Sequence, residues 1–107
     1  MHAQPTNEAG KGELRLYVTG QTLLSLRAIE NLEWFMSEEL GDLYACEVVD
    51  VLERPDLAEQ DGIFATPALV RRSPRPVRKL IGDLSNRELV LRSLRLGAVS
   101  GGSGRER

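Results

Sequence analysis

Leu14-Arg15-Leu16-Tyr17-Val18, then Thr19-Gly20-Gln21-Thr22, then Ala28, Ile29, Leu32, Phe35, Met36 and Leu40, is the stretch that decides the fold. The first five residues are short, apolar and rich in β-formers, which reads as a strand. The next four read as a turn, with Thr22 placed to cap a helix. The apolar residues beyond recur at three- and four-residue spacing, while Glu30, Glu33, Glu38 and Glu39 fall largely on the other side. That period is an amphipathic helix, and Gly41 is expected at its C′ position.

Residues 44–52 form a second β-rich run, apolar on both faces apart from Glu47 and Asp50. A strand covered on both sides is of the parallel kind, so the first three elements predict a βαβ unit. Residues 54–62 carry Pro55 at a first helical position and end on Gly62, a short helix. Residues 63–70 lead into a third strand. Ser73-Pro74-Arg75-Pro76 is a turn, because neither proline fits inside a ladder. Residues 77–81 return as a fourth strand, antiparallel to the third by the shortness of the connection, and Gly82-Asp83 ends it. Ser85-Asn86-Arg87-Glu88 reads as a capping box with Ser85 as the cap. Leu89, Val90, Leu91, Leu94 and Leu96 carry the final helix. The expected order is β-α-β-α-β-β-α, an α/β arrangement of the thioredoxin-like kind.

The 107 residues suffice for one domain. Residues 1–12 and 97–107 are polar or Gly/Ser-rich and read as flexible tails around a domain at 13–96. A domain of that size buries only about two-thirds of its unfolded surface, so self-association as a dimer or tetramer would help it. No apolar run approaches the roughly 20 residues that span a bilayer, and the start is no signal peptide. The expectation is a soluble, cytoplasmic protein with no membrane contact. Cys46 is the single thiol and His2 the single histidine, so no disulfide, zinc site or cofactor is expected.

The formal charge is −2, unevenly spread. Residues 28–61 hold eleven acidic side chains against Arg54 alone, and residues 71–107 hold ten basic against three acidic. Such a dipolar chain suits protein partners or head-to-tail contact with itself; ordinary solvated faces are the other reading. Nucleic acid is disfavoured, since no stacking aromatics interleave with Arg71, Arg72, Arg75, Arg78 and Lys79.

Thioredoxin-like oxidoreductases place a Cys-x-x-Cys pair where the first strand meets the first helix, whose amides lower the thiol pKa. Here that stretch is Thr19-Gly20-Gln21-Thr22-Leu23-Leu24-Ser25, with no cysteine. Cys46 falls inside a strand and reads as a buried, inert thiol. Ser25 has no histidine to activate it and reads as a first-turn helix residue. No enzyme is expected. In a thioredoxin-like fold the Thr66-Pro67 bond is expected to be cis, at the loop before the third strand, beside the first helix.

Four segments resemble the KaiB family. Residues 14–22 are similar to its opening strand and turn. Val49-Asp50-Val51-Leu52 with Pro55-Asp56-Leu57-Ala58-Glu59 and Asp61 is similar to its second strand and short helix. Ala65-Thr66-Pro67-Ala68-Leu69 and Pro76-Val77-Arg78-Lys79-Leu80-Ile81-Gly82-Asp83-Leu84-Ser85-Asn86-Arg87-Glu88 match two further motifs. Together they cover nearly all of 14–96.

The resemblance implies a clock protein without an active site and with two folds. One is a tetramer whose C-terminal half runs β-α-β-β-α-α-β; the other is a thioredoxin-like monomer that binds the N-terminal ATPase ring of the hexameric kinase KaiC. In complete oscillators the bound form captures KaiA and displaces the kinase SasA, whose sensor domain is similar. The partner selects the rarer fold. Arg27, in Ser25-Leu26-Arg27-Ala28, matches the family's helix and is the first candidate for a KaiC contact, with Ala65, Thr66 and Pro67 nearby; a solvent-facing helix charge is the other reading. A stand-alone adaptor for a SasA-type histidine kinase is the alternative function.

Two departures bear on this. Gly82 and Asp83 lie where the two folds diverge, and Ser93 and Arg95 stand in a final segment that in the family often carries Gly and Asp. Replacing a mid-helix Gly favours helix by roughly 0.3–0.5 kcal/mol, and cations in a last turn add about 0.3–1 kcal/mol each. A resting thioredoxin-like state is therefore expected. Glu47, in Ala45-Cys46-Glu47, replaces a basic residue on the strand that helps hold KaiA in the family, which puts KaiA binding in doubt.

Overall fold

A computed structural model describes residues 10–99 of the chain, with side chains through residue 94. The elements are β1 (Gly12–Val18), α1 (Leu23–Phe35) continued by a π-helical turn (Met36–Leu40), β2 (Tyr44–Asp50), α2 (Pro55–Gln60), β3 (Ala68–Ser73), β4 (Arg78–Ile81) and α3 (Arg87–Val99). The order is the β-α-β-α-β-β-α expected. The sheet runs β2-β1-β3-β4, with β1 parallel to β2 and β3 antiparallel to both β1 and β4.

The pleat sends alternate residues to opposite faces. Leu14, Leu16 and Val18 of β1 join Leu69 under α1 and α3, where Ala28, Leu32, Phe35, Val90 and Leu94 complete one core. Tyr17, Val49 and Val70 point the other way, against Ala58 of the short α2. Full burial of each large apolar side chain is worth about 1.5–3 kcal/mol, against about 1 kcal/mol for a helix cap. The apolar stripe of α1 therefore outweighs its cap, which only sets where the helix begins. Thr22 is that cap, its side chain accepting from the Ser25 amide.

Several expectations are corrected. Gly41 does not adopt the left-handed C′ conformation: its φ is −61°. What it provides is clearance, since a Cβ there would lie 2.4 Å from the Met36 carbonyl oxygen. β2 is not covered on both sides but is an edge strand, with Cys46, Glu47 and Val48 exposed. Cys46 is accordingly an exposed thiol, not a buried one. Ser85 does not cap α3. Asn86 does, accepting from the Leu89 amide at 3.1 Å, while the Ser85 amide donates to Asp83 Oδ1 at 3.0 Å. β3 begins at Ala68, so 63–67 is loop. α3 extends to Val99; the tails at 1–9 and 100–107 and the Arg95 side chain lie outside the described residues.

The N-terminus of α3 is clasped to the end of α1. Arg87 lies 4.8 Å over the Trp34 ring and pairs with Glu39 of the π-helical turn. No helix among the described residues is long and apolar enough to cross a membrane.

Candidate functional site

The site is the end of the sheet where β1 finishes, β3 starts and β4 finishes. Beyond Val18 the Thr19 hydroxyl is hydrogen-bonded to the Thr66 hydroxyl, which fixes the loop ahead of Pro67 against the entry to α1. The Thr66-Pro67 bond is cis, as expected, and so are Ser73-Pro74 and Arg75-Pro76. The Gly82 amide donates to the Pro67 carbonyl at 2.9 Å, bringing the end of β4 to the same place.

Ser25 lies behind this loop, fully buried. Its hydroxyl accepts from the Thr19 amide at 3.0 Å and from the Thr22 hydroxyl at 2.9 Å. With its lone pairs so occupied and Thr19's carbonyl within 3.5 Å, it is a structural knot rather than a nucleophile. Gly20, at φ +53°, turns the chain here and donates to Asp50 Oδ1 at 3.1 Å.

Arg27 is exposed on α1, one turn before Asn31, whose side-chain amide donates to the Asp83 carbonyl at 2.8 Å. Asp83 is held below the usual carboxylate range, chiefly by the Ser85 hydrogen bonds and secondarily by the charge of Arg27. Thr66, Gly82 and Asp83 are half-buried at this end of the sheet with Ala65 exposed beside Thr66, Pro67 itself is buried, and Arg27 stands exposed on α1.

Sequence reasoning missed the exposure of several apolar side chains. Phe64 is 97% exposed, and Leu23, Leu24, Leu52 and Ile81 are also open to solvent. An apolar residue inside an apolar run reads as core, and the only local warning was that Thr66-Pro67 delays the third strand.

Glu47 and Ser93 lie elsewhere. Glu47, on the free edge of β2, accepts from Arg15 Nε at 2.8 Å. Arg15 also reaches the Tyr17 hydroxyl and Asp61, tying β2 and β1 to the end of α2. Burial, then the Asp61 hydrogen bond, raises the Tyr17 pKa. Ser93 is half-buried in α3. Among the described residues there is no cluster of side chains fit to hold a metal ion.

The KaiB domain family matches residues 15–96. The circadian clock oscillator protein KaiB of Microcystis aeruginosa is 53% identical over 83 residues, 78% of this chain and 80% of that protein. Its counterpart in Thermosynechococcus vestitus is 52% identical over 83 residues, 78% of this chain and 77% of that one. Among solved structures, the N-terminal domain of Synechococcus elongatus SasA superposes with a TM-score of 0.71 at 22% identity, covering 98% of this chain and 99% of that one. Mitochondrial thioredoxin 3 of Saccharomyces cerevisiae gives a TM-score of 0.63 at 17% identity, covering 75% and 73%. These two likenesses concern the fold alone.

Proposed function

The chain belongs to the KaiB family, and from that premise we propose that it is a non-catalytic clock or timing protein that binds the ATPase ring of a KaiC-type kinase hexamer and so regulates its phosphorylation state. One observation carries the reading: the Thr19–Thr66 and Gly82–Pro67 hydrogen bonds hold this end of the sheet together beside the exposed side chains of Phe64 and Ala65, with Arg27 exposed on α1. A backbone held by hydrogen bonds, with a cation and unpartnered apolar side chains around it, suits a protein partner. The occupied hydroxyl of Ser25, where thioredoxins carry their thiols, supports a role without catalysis.

In this reading the free protein rests in the thioredoxin-like arrangement, with Gly82 and Asp83 at the point of fold change and Ser93 and Arg95 favouring helix in the final segment. Glu47 leaves KaiA out of the proposed partner set: an acid already paired with Arg15 stands on the β2 edge. The setting is the cytoplasm.

The test is size-exclusion chromatography of the chain after overnight incubation with ATP and the KaiC hexamer from its own source. Co-elution that Arg27→Glu weakens is the expected result. If the two stay apart in every nucleotide state, the function falls while the fold stands, and a SasA-type histidine kinase becomes the partner to test in the same way.

A further inference from the structure

Among the described residues, Arg71 is the largest fully buried side chain. It projects from β3 into the core beside Leu14, its register partner on β1. Among the described residues no carboxylate is paired with it. It donates instead to two backbone carbonyls: Nη1 to Leu94 at 2.9 Å and Nη2 to Pro76 at 2.6 Å. Among the described residues its Nε has no partner. The Tyr44 hydroxyl, from β2, donates to the same Leu94 carbonyl at 3.1 Å.

A cation buried against neutral acceptors, with one donor unsatisfied, is costly. A solvated charge or an apolar core residue would serve packing better. What arginine offers here is a planar fork able to reach two carbonyls at once, which the single ammonium of lysine cannot span. The two carbonyls bracket residues 76–94, which hold β4, Gly82, Asp83 and α3 up to Leu94. One guanidinium thus closes both ends of the segment that brings Gly82 to Pro67 and Asp83 to Asn31 of α1.

We propose that Arg71 is a positioning residue for the partner face: it staples residues 76–94 to the sheet, and releasing the staple lets that segment open while β1 and α1 stay folded.

The proposal rests on Gly82 and Asp83 belonging to the partner face. It is tested without any partner, so its failure is separate from a failure to co-elute with KaiC. Amide hydrogen exchange is followed on the full chain for wild type, Arg71→Lys, Arg71→Met and Tyr44→Phe. In Arg71→Met the amides of Leu80, Gly82 and Val90 are expected to exchange at least about tenfold faster, the loss of charged hydrogen bonds in a buried site, while Leu16 and Leu32 keep their wild-type rates. Arg71→Lys should fall between, and Tyr44→Phe should speed Val90 without affecting Leu80. If Arg71→Met does not fold, the other two variants decide. Equal acceleration in β1 and α1, or none in β4 and α3, overturns the proposal.

Discussion

The hydroxyls of Thr19 and Thr66 are hydrogen-bonded to each other, joining the end of β1 to the residue before Pro67. Both side chains are half-buried, so the pair replaces water with a protein partner at a modest net gain. Thr66→Val keeps the shape and removes the bond. It should cost about 1 kcal/mol, read as a lower urea midpoint with an unchanged slope. Thr66→Ser, which retains the hydroxyl, should stay close to wild type. Co-elution with KaiC should weaken in the valine variant only. A valine variant as stable as wild type would mean that the bond does not hold the loop.

Gly41→Ala separates two opposing effects by magnitude. The residue has helical dihedrals, so propensity and chain entropy alone predict a gain of roughly 0.5–1 kcal/mol for alanine. Against that, the new methyl would sit 2.4 Å from the Met36 carbonyl, a backbone atom that cannot swing aside. Forced overpacking costs about 1–3 kcal/mol, so the clash wins. The variant should melt several degrees lower, and the π-helical turn ahead of it should lose amide protection. A higher melting temperature would show that the turn relaxes into an ordinary helix end.

Where the chain's pattern is local, it was legible. The three- and four-residue period of α1, its Thr22 cap and the short β3–β4 connection each depend on neighbours in sequence. The misreadings share a different cause. Cys46 and Val48 on one face of β2 with Val49 on the other read as a strand covered on both sides. Whether helices cover both faces depends on its place at the sheet edge, which no local pattern encodes. Ser85 and Asn86 are adjacent capping residues, and Ser85 is drawn into a turn with Asp83, its amide donating to Asp83 Oδ1, while Asn86 accepts from the helix. Phe64 belonged to an apolar run but is left outside by the loop around Thr66-Pro67. Arg71 stood in the sequence only as one of five neighbouring bases, because its two acceptors are backbone carbonyls of Pro76 and Leu94. The candidate residues came from the motifs, and the exposure of Leu23, Leu52 and Phe64 could not be read from them.

Cys46 supplies a prediction in which access and reactivity part company. The residue is exposed, yet the protein packed round its sulfur raises the thiol pKa, and Glu47 and then Glu33 raise it further. The thiolate is the nucleophile, so a raised pKa keeps the native thiol slow at neutral pH despite its exposure. The pH–rate curve for alkylation should have its midpoint above the roughly 8.5 of a free thiol, and above that of the same chain in urea. With one cysteine in the sequence the signal has a single source. Glu47→Gln, whose amide oxygen can still accept from Arg15, should move the midpoint down. The linkage has a definite sign: the folded state holds this proton more tightly than the unfolded chain. The resulting stability is present below the unfolded pKa and is lost as pH rises through the folded one. A native midpoint at or below the urea value would show that burial and the two carboxylates do not govern this thiol.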